Sequence, residues 1–138
     1  MKDRIFVDTN ILVYAHDVDA GKKHTVSAGV VTELWESRTG IISTQVLQEL
    51  YVTLTRKVRS PIPGNIAKRL IQNYLVWDVA VNSGLTILRA MEIEKSYSLS
   101  FWDALIIAAA YSKNAQIILT EDLNDGQLIE GMKIQNPF

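Results

Sequence analysis

Short apolar runs alternate along the chain with longer stretches that carry apolar residues at helical spacing. Ile5-Phe6-Val7 predicts a short buried strand that ends at Asp8, and Ile11 to Ala15 predicts a short helix. Val26, Val30, Val31, Leu34 and Trp35 recur at steps of three and four, which predicts a helix over about residues 23–37. Gly40-Ile41-Ile42 is a second strand. Ser43 or Thr44 then caps a helix to about Val58. Ser60-Pro61-Ile62-Pro63-Gly64 breaks the chain, and a helix from about Asn65 to Leu75 follows. Further on come a strand over 76–81, a helix over 84–95, an apolar helix from Ser100 to about Asn114, and a strand over 116–119. Residues 132–135 suit a fifth strand. With no repeat or linker, the pattern predicts a single domain over 1–138. The fold class is α/β: a three-layer α/β/α sandwich around a mainly parallel sheet of four or five strands.

That architecture directs attention to one place. Open parallel sheets bind ligands outside the carboxyl ends of their strands. Asp8 directly follows the first strand, and Asp122 follows the fourth, just beyond Thr120. Strand alternation carried past Leu119 puts Thr120 and Asp122 on one side and Glu121 on the other. Asp103 opens a crossover helix, whose start returns to the same edge. Each acid has an ordinary alternative. Asp8, Thr9 or Asn10 would cap the following helix. Ser100 and Asp103 have capping-box spacing, and Asn124-Asp125-Gly126 is turn chemistry. Taken together the three acids argue for more, because carboxylates gathered on one edge repel one another and a cation relieves that repulsion. Glu49 reads differently. It lies roughly 130° from the centre of its helix's apolar stripe, where a surface glutamate belongs.

Composition narrows the chemistry. Apolar residues at 48% and charged residues at 21% of 138 suit a folded domain with its own core. The absence of cysteine excludes disulfides and thiolate metal sites and permits a cytoplasmic home. With only His16 and His24, a metal here must take mostly oxygen ligands, which favours magnesium or manganese. Met1-Lys2-Asp3-Arg4 runs into the first strand without a signal-peptide core. The apolar run from Ala104 to Tyr111 is far below the roughly 20 residues that span a bilayer. Net charge is −1, yet no acidic residue falls between Tyr51 and Trp77, where Arg56, Lys57, Arg59, Lys68 and Arg69 lie. This basic stretch would suit phosphates or simply form a solvated face. His16 and Lys22-Lys23-His24 read as solvated.

Four motifs, in order, resemble the PIN-domain family, and within it the VapC-type toxins of bacterial and archaeal toxin–antitoxin pairs. They are Ile5-Phe6-Val7-Asp8-Thr9-Asn10-Ile11-Leu12-Val13-Tyr14, Ser43-Thr44-Gln45-Val46-Leu47-Gln48-Glu49-Leu50, Leu99-Ser100-Phe101-Trp102-Asp103-Ala104-Leu105-Ile106 and Ile118-Leu119-Thr120-Glu121-Asp122-Leu123. The ending Ile134-Gln135-Asn136-Pro137-Phe138 is similar too, so the resemblance covers essentially the whole chain. It implies that Asp8, Glu49, Asp103 and Asp122 form an acidic quartet that is both catalytic and metal-binding. Asn10 and Thr120 would support it, and Asp125 would be a secondary acid. The implied activity is a Mg2+- or Mn2+-dependent endoribonuclease that leaves 5′-phosphate and 3′-hydroxyl ends. One ion, or two about 3.5–4 Å apart, would acidify and orient a water for in-line attack on phosphorus. RNA would rest on a basic surface including Arg56, Lys57 and Arg59. The resemblance further implies a cognate antitoxin covering the acidic groove and a homodimer, for which the helix at 65–75 is a candidate. Trp35, Tyr51 and Leu54 would line that groove or fill the core.

Rival readings fit less well. A haloacid-dehalogenase-like phosphatase needs a second acid two residues after the first, where Asn10 stands. A response-regulator receiver needs an acceptor Asp and a Lys at strand ends that Ile41-Ile42-Ser43 and Ile117-Ile118-Leu119-Thr120 do not supply. The remaining alternative is a PIN-like module that binds RNA or protein without turnover.

Overall fold

Phe6, Val7, Ile41, Ile42, Ile118 and Ile134 are fully buried, as expected of strands covered on both faces. The computed structural model describes residues 3–138; Met1 and Lys2, the start of the segment read above as lacking a targeting core, lie outside them. The strands are β1 (Ile5–Val7), β2 (Gly40–Ser43), β3 (Asp78–Ala80), β4 (Ile117–Leu119), β5 (Leu128–Ile129) and β6 (Met132–Gln135). The helices are α1 (Thr9–Ala15), α2 (Lys22–Ser37), α3 (Thr44–Arg56), α4 (Gly64–Tyr74), α5 (Gly84–Tyr97) and α6 (Phe101–Ser112), with a 3₁₀ turn at Val18–Ala20.

The sheet has six strands in the order β3-β2-β1-β4-β6-β5, all parallel except β5 against β6. It therefore exceeds the expected four or five. The extra strand is only two residues long, too short to register as a hydropathy pattern. Glu130 and Gly131 turn it back onto β6 with positive φ at both positions (50° and 80°), the twist that tight hairpins need.

Strand order explains where a site forms. From β1 the chain steps outward to β2 and β3, and then returns to place β4 on the other side of β1. The direction reverses between β1 and β4, so a crevice opens outside their carboxyl ends. Right-handed crossovers put the first four helices on one face of the sheet and α5 and α6 on the other. The packing agrees: α1 contacts α2 and α3, α3 contacts α4, and α5 pairs with α6. None of these helices is long and apolar enough to cross a membrane.

The open edge of the sheet rests on an aromatic cluster in which Trp77 packs against Trp35 and Tyr74, ring centroids 5.4 and 5.2 Å apart. The indole lies flat over Gly40, where an added Cβ would stand 2.5 Å from Cζ3 and 2.7 Å from Cε3. A buried ring wedged between two others cannot retreat. Gly40→Ala is therefore expected to cost about 1–3 kcal/mol. The check is a lower urea midpoint at unchanged m-value. Gly84→Ala, with nothing within 4 Å of its added carbon, serves as the comparison. An unshifted midpoint for Gly40→Ala would contradict the packing argument.

Candidate active site

Asp8 leaves β1 in extended conformation (φ −72°, ψ 159°) and caps α1. Its Oδ1 accepts from the Thr9 N–H at 2.7 Å, and its Oδ2 accepts from the Thr120 hydroxyl at 2.8 Å. The cap reading thus holds for this side chain, and the cap leaves its second oxygen directed at Thr120. Asp8 is only 7% exposed. Burial pushes its carboxyl up to about 7; the charges of Asp122 and Glu49 push the same way, and the two hydrogen bonds oppose them.

Thr120 directly follows β4, beside β1 in the sheet, and is fully buried. Its hydroxyl also accepts from the Asp122 N–H at 3.1 Å. Asn10, in the first turn of α1, donates its amide to Asp122 Oδ2 at 2.9 Å and to Thr120 Oγ1 at 3.4 Å. Those two acceptors orient the amide and leave Asn10 Oδ1 buried without a protein partner. The alternation extrapolated past β4 holds: Thr120 and Asp122 face Asp8 and Asn10, while Glu121 points away to Tyr14 and Lys23.

Glu49 enters from α3, whose start is fixed by Ser43 accepting from the Val46 N–H at 3.2 Å. It is exposed, as periodicity predicts, yet the Thr9 hydroxyl donates to its Oε1 at 2.8 Å. Thr9 therefore ties Glu49 to the Asp8 turn. Within the first motif Thr9 had only a capping role, and nothing local signals a partner forty residues away.

Asp103 comes from α6, capped by Ser100, whose hydroxyl accepts from the Asp103 N–H at 3.1 Å. The far end of α6 lies at the opposite edge of the sheet, where the Lys113 carbonyl accepts from Arg4 just before β1. Its start is thereby returned to the carboxyl edge. Burial raises the Asp103 carboxyl, hydrogen bonding with Ser100 opposes this, and the charge of Asp122 adds to the rise. Gln45 of α3 reaches the same corner, its amide donating to the Trp102 carbonyl at 3.4 Å.

Four acids thus share one electrostatic neighbourhood. Among the described residues, no lysine or arginine forms an ion pair with any of them. Nor, among those residues, do three acidic or imidazole side chains stand close enough to form a ready-made ion cage. The donor set still suits a hard divalent cation: it is all oxygen, its charge is uncompensated, and Asn10 Oδ1 is an acceptor lacking a donor.

Asp125 stands apart. Its Oδ1 accepts from the Asn136 N–H at 2.9 Å, so it pins the end of β6. Arg56, Lys57 and Arg59 are all exposed at the far end of α3, and Arg56 lies two turns, about 10 Å, beyond Glu49 on the same side. Leu54 belongs to the core, whereas Trp35 and Tyr51 reach the surface. Of the residues read as solvated, Lys22 and Lys23 are exposed, whereas His16 and His24 are half-buried. His16 Nε2 lies 2.6 Å from the Tyr74 hydroxyl, His24 Nδ1 lies 2.9 Å from the Tyr14 carbonyl oxygen, and Lys23 pairs with Glu121. Helical spacing carried no trace of these contacts, because every partner except Tyr14 is remote in sequence.

A family profile described as the PIN domain matches residues 5–124. The chain belongs to the PIN domain family. That match spans all four acids and the strand order that gathers them. No curated protein matches the sequence. Solved structures do match the fold. A toxin–antitoxin complex from Klebsiella pneumoniae has a chain 20% identical, with 97% of this chain and 98% of that one covered and a TM-score of 0.70. VapC20 of Mycobacterium tuberculosis, described as a sarcin-ricin loop cleaving toxin, is 26% identical over 83% of this PIN domain and 86% of its own chain, with a TM-score of 0.63. VapBC2 of Rickettsia felis, solved on a DNA fragment from its promoter, is 19% identical over 96% and 97%, with a TM-score of 0.66.

Proposed function

We propose that this PIN domain is a Mg2+- or Mn2+-dependent endoribonuclease and acts as the toxin of a VapBC-type pair. One observation carries the reading: the charges of Asp122 and Glu49 act on Asp8, that of Asp122 acts on Asp103, and among the described residues no lysine or arginine pairs with any of the four. A site of this kind invites a hard cation, and Asp8, Asp103, Asp122 and Glu49 are the residues that would hold it. A bound divalent ion would lower the pKa of a water nucleophile and offset charge building at phosphorus.

The chain's own groups set the stage for that chemistry. Thr120 and Thr9 fix the two oxygens of Asp8, Asn10 fixes Asp122, and Thr9 fixes Glu49. Asp125, bonded to the β6 end, would act only through the loop that carries it. Arg56, Lys57 and Arg59 offer phosphates a basic surface beyond Glu49.

Partners follow from the relatives. Similar structures include a toxin–antitoxin complex and DNA-bound VapBC and FitAB assemblies, which supports an antitoxin for this chain. A second copy is a further partner, and exposed Leu85, Leu88 and Met91 of α5 provide an apolar face for it. A cytoplasmic setting, where RNA is met, belongs to the same reading.

The direct test is cleavage of a structured RNA by purified protein. Chelator is expected to abolish cleavage, and added Mg2+ or Mn2+ to restore it, with calcium a poor substitute. Full cleavage in excess chelator would overturn metal dependence. Tight RNA binding without cleavage in Mg2+ or Mn2+ would favour a binding module.

A further inference from the structure

Asp122 sits beyond the last hydrogen-bonded residue of β4, so the sheet itself does not determine which way it faces. Its neighbour Glu121 is also an acid, on a longer arm. Something must decide which of the two turns into the crevice, and the structure contains a device suited to that decision. The Tyr14 hydroxyl donates to Glu121 Oε1, and the Lys23 ammonium donates to Glu121 Oε2 at 2.7 Å. The same ammonium stands 5.1 Å from the Tyr14 ring centroid and 5.3 Å from that of Phe138, and the two rings meet edge to face at 5.6 Å. His24 Nδ1, at 2.9 Å from the Tyr14 carbonyl oxygen, couples α2 to α1 beside this cluster.

Spacing along α1 adds to the case. Asn10 and Tyr14 are one turn apart on one face. Asn10 holds Asp122, and Tyr14 holds Glu121. A single short helix therefore holds both adjacent acids, Asp122 near its start and Glu121 one turn further on. Both oxygens of Glu121 are occupied, and its side chain is only 19% exposed. The segment beyond β6 is stitched to the same loop, with the Asn136 N–H donating to Asp125 Oδ1 at 2.9 Å and the Phe138 N–H to Asn136 Oδ1 at 2.9 Å.

We infer that Tyr14, Lys23 and Phe138 are positioning residues for the acidic site: they clamp Glu121 so that Asp122, and not Glu121, faces Asp8 and Asn10. The inference rests on the nuclease reading above for its catalytic consequence. An ordinary exposed ion pair would contribute little. Here the pair is shared with a hydroxyl and two ring faces, and it acts on the residue next to a metal-binding acid.

The test compares Lys23→Met, Tyr14→Phe and Lys23→Arg with the parent chain. Three readouts are needed: hydrogen exchange of the amides at 120–126 without metal, calorimetric Mn2+ binding, and kcat and KM for RNA cleavage. Lys23→Met and Tyr14→Phe are expected to speed exchange at 120–126 while leaving the core strands protected. Mn2+ affinity and kcat are expected to fall about tenfold with KM nearly unchanged, as when a partner that orients a metal ligand is removed. Lys23→Arg should recover most of the loss. Parent-like Mn2+ affinity and kcat in both variants would overturn the inference, even if exchange quickened, because the clamp would then be structural only. A parent protein that neither binds Mn2+ nor cleaves RNA would overturn the nuclease reading and this consequence together. An active parent with unaffected variants would remove the clamp alone.

Discussion

Replacing Asp8 or Asp103 by Asn is expected to reduce RNA cleavage about a thousandfold while leaving the fold intact. Charge stabilisation by a metal supplies several kcal/mol, and each factor of ten in rate corresponds to about 1.4 kcal/mol. Losing one of the four proposed anionic ligands places the expected effect at about three decades. Geometry protects the fold in both variants. At Asp8 the amide oxygen keeps an acceptor for the Thr9 N–H, and the new N–H displaces the long 3.4 Å bond of the Asn10 amide to the Thr120 hydroxyl oxygen, Asn10 keeping its bond to Asp122. At Asp103 the helix cap survives, because Ser100 accepts from the backbone N–H and not from the carboxyl. Initial rates on one RNA, alongside circular dichroism, decide the matter. Parent-level cleavage in both variants, each with native spectra, would end the nuclease assignment.

These two residues also mark how far one sequence can be read. Asp8, Thr120 and Asp122 were reachable from chain position alone, because strands end where their apolar runs end and parallel sheets present those ends on one edge. Asp103 followed from the crossover rule, although its capping role by itself would have explained it. Glu49 was not reachable in that way. Its helical phase puts it on the surface, where it does lie, and its one side-chain tie to the Asp8 turn comes from the Thr9 hydroxyl. Only the resemblance of the whole motif pointed to it. The same limit applies to Tyr14, Lys23 and Glu121, which local pattern left unconnected although they form one cluster. Pairings between distant side chains leave no periodic trace.

The fold divides along similar lines. Strands buried on both faces were legible as apolar runs, and the helices as stripes closed by Ser43 and Ser100. The order of strands was not legible, since parallel topology is set by crossovers and packing over many residues. β5 escaped because two residues cannot display alternation, and its turn uses Glu130-Gly131 where Asn-Gly would have been conspicuous. The third strand begins at Asp78 and not at Val76, because Trp77 leaves the sheet line to cover Gly40.

The second large effect concerns stability without metal. Asp8 is expected to destabilise the metal-free fold at high pH, and Asp8→Asn to relieve it. Burial raises this carboxyl from 3.8 to about 7, so between those values the folded protein holds a proton that the unfolded chain releases. Fewer protons on the unfolded state mean that stability falls as pH rises through this window. The contribution is absent below about pH 4 and complete above about pH 7. Three pKa units correspond to about 4 kcal/mol at most; water reaching a crevice open at the surface reduces this to about 2 kcal/mol. For a domain of this size that is a shift in Tm of roughly 5–10 °C. Thermal melts in chelator should therefore show Asp8→Asn above the parent at pH 8 and level with it at pH 4.5. Metal should reverse the order, because an ion that binds only the folded form stabilises it by mass action. Mn2+ should raise the parent's Tm more at pH 8 than at pH 5.5, and should raise the variant's little at either. A difference between the two proteins that stays constant from pH 4.5 to 8 would contradict the burial argument. A parent whose Tm ignores Mn2+ at pH 8 would contradict the assignment of Asp8 as a ligand.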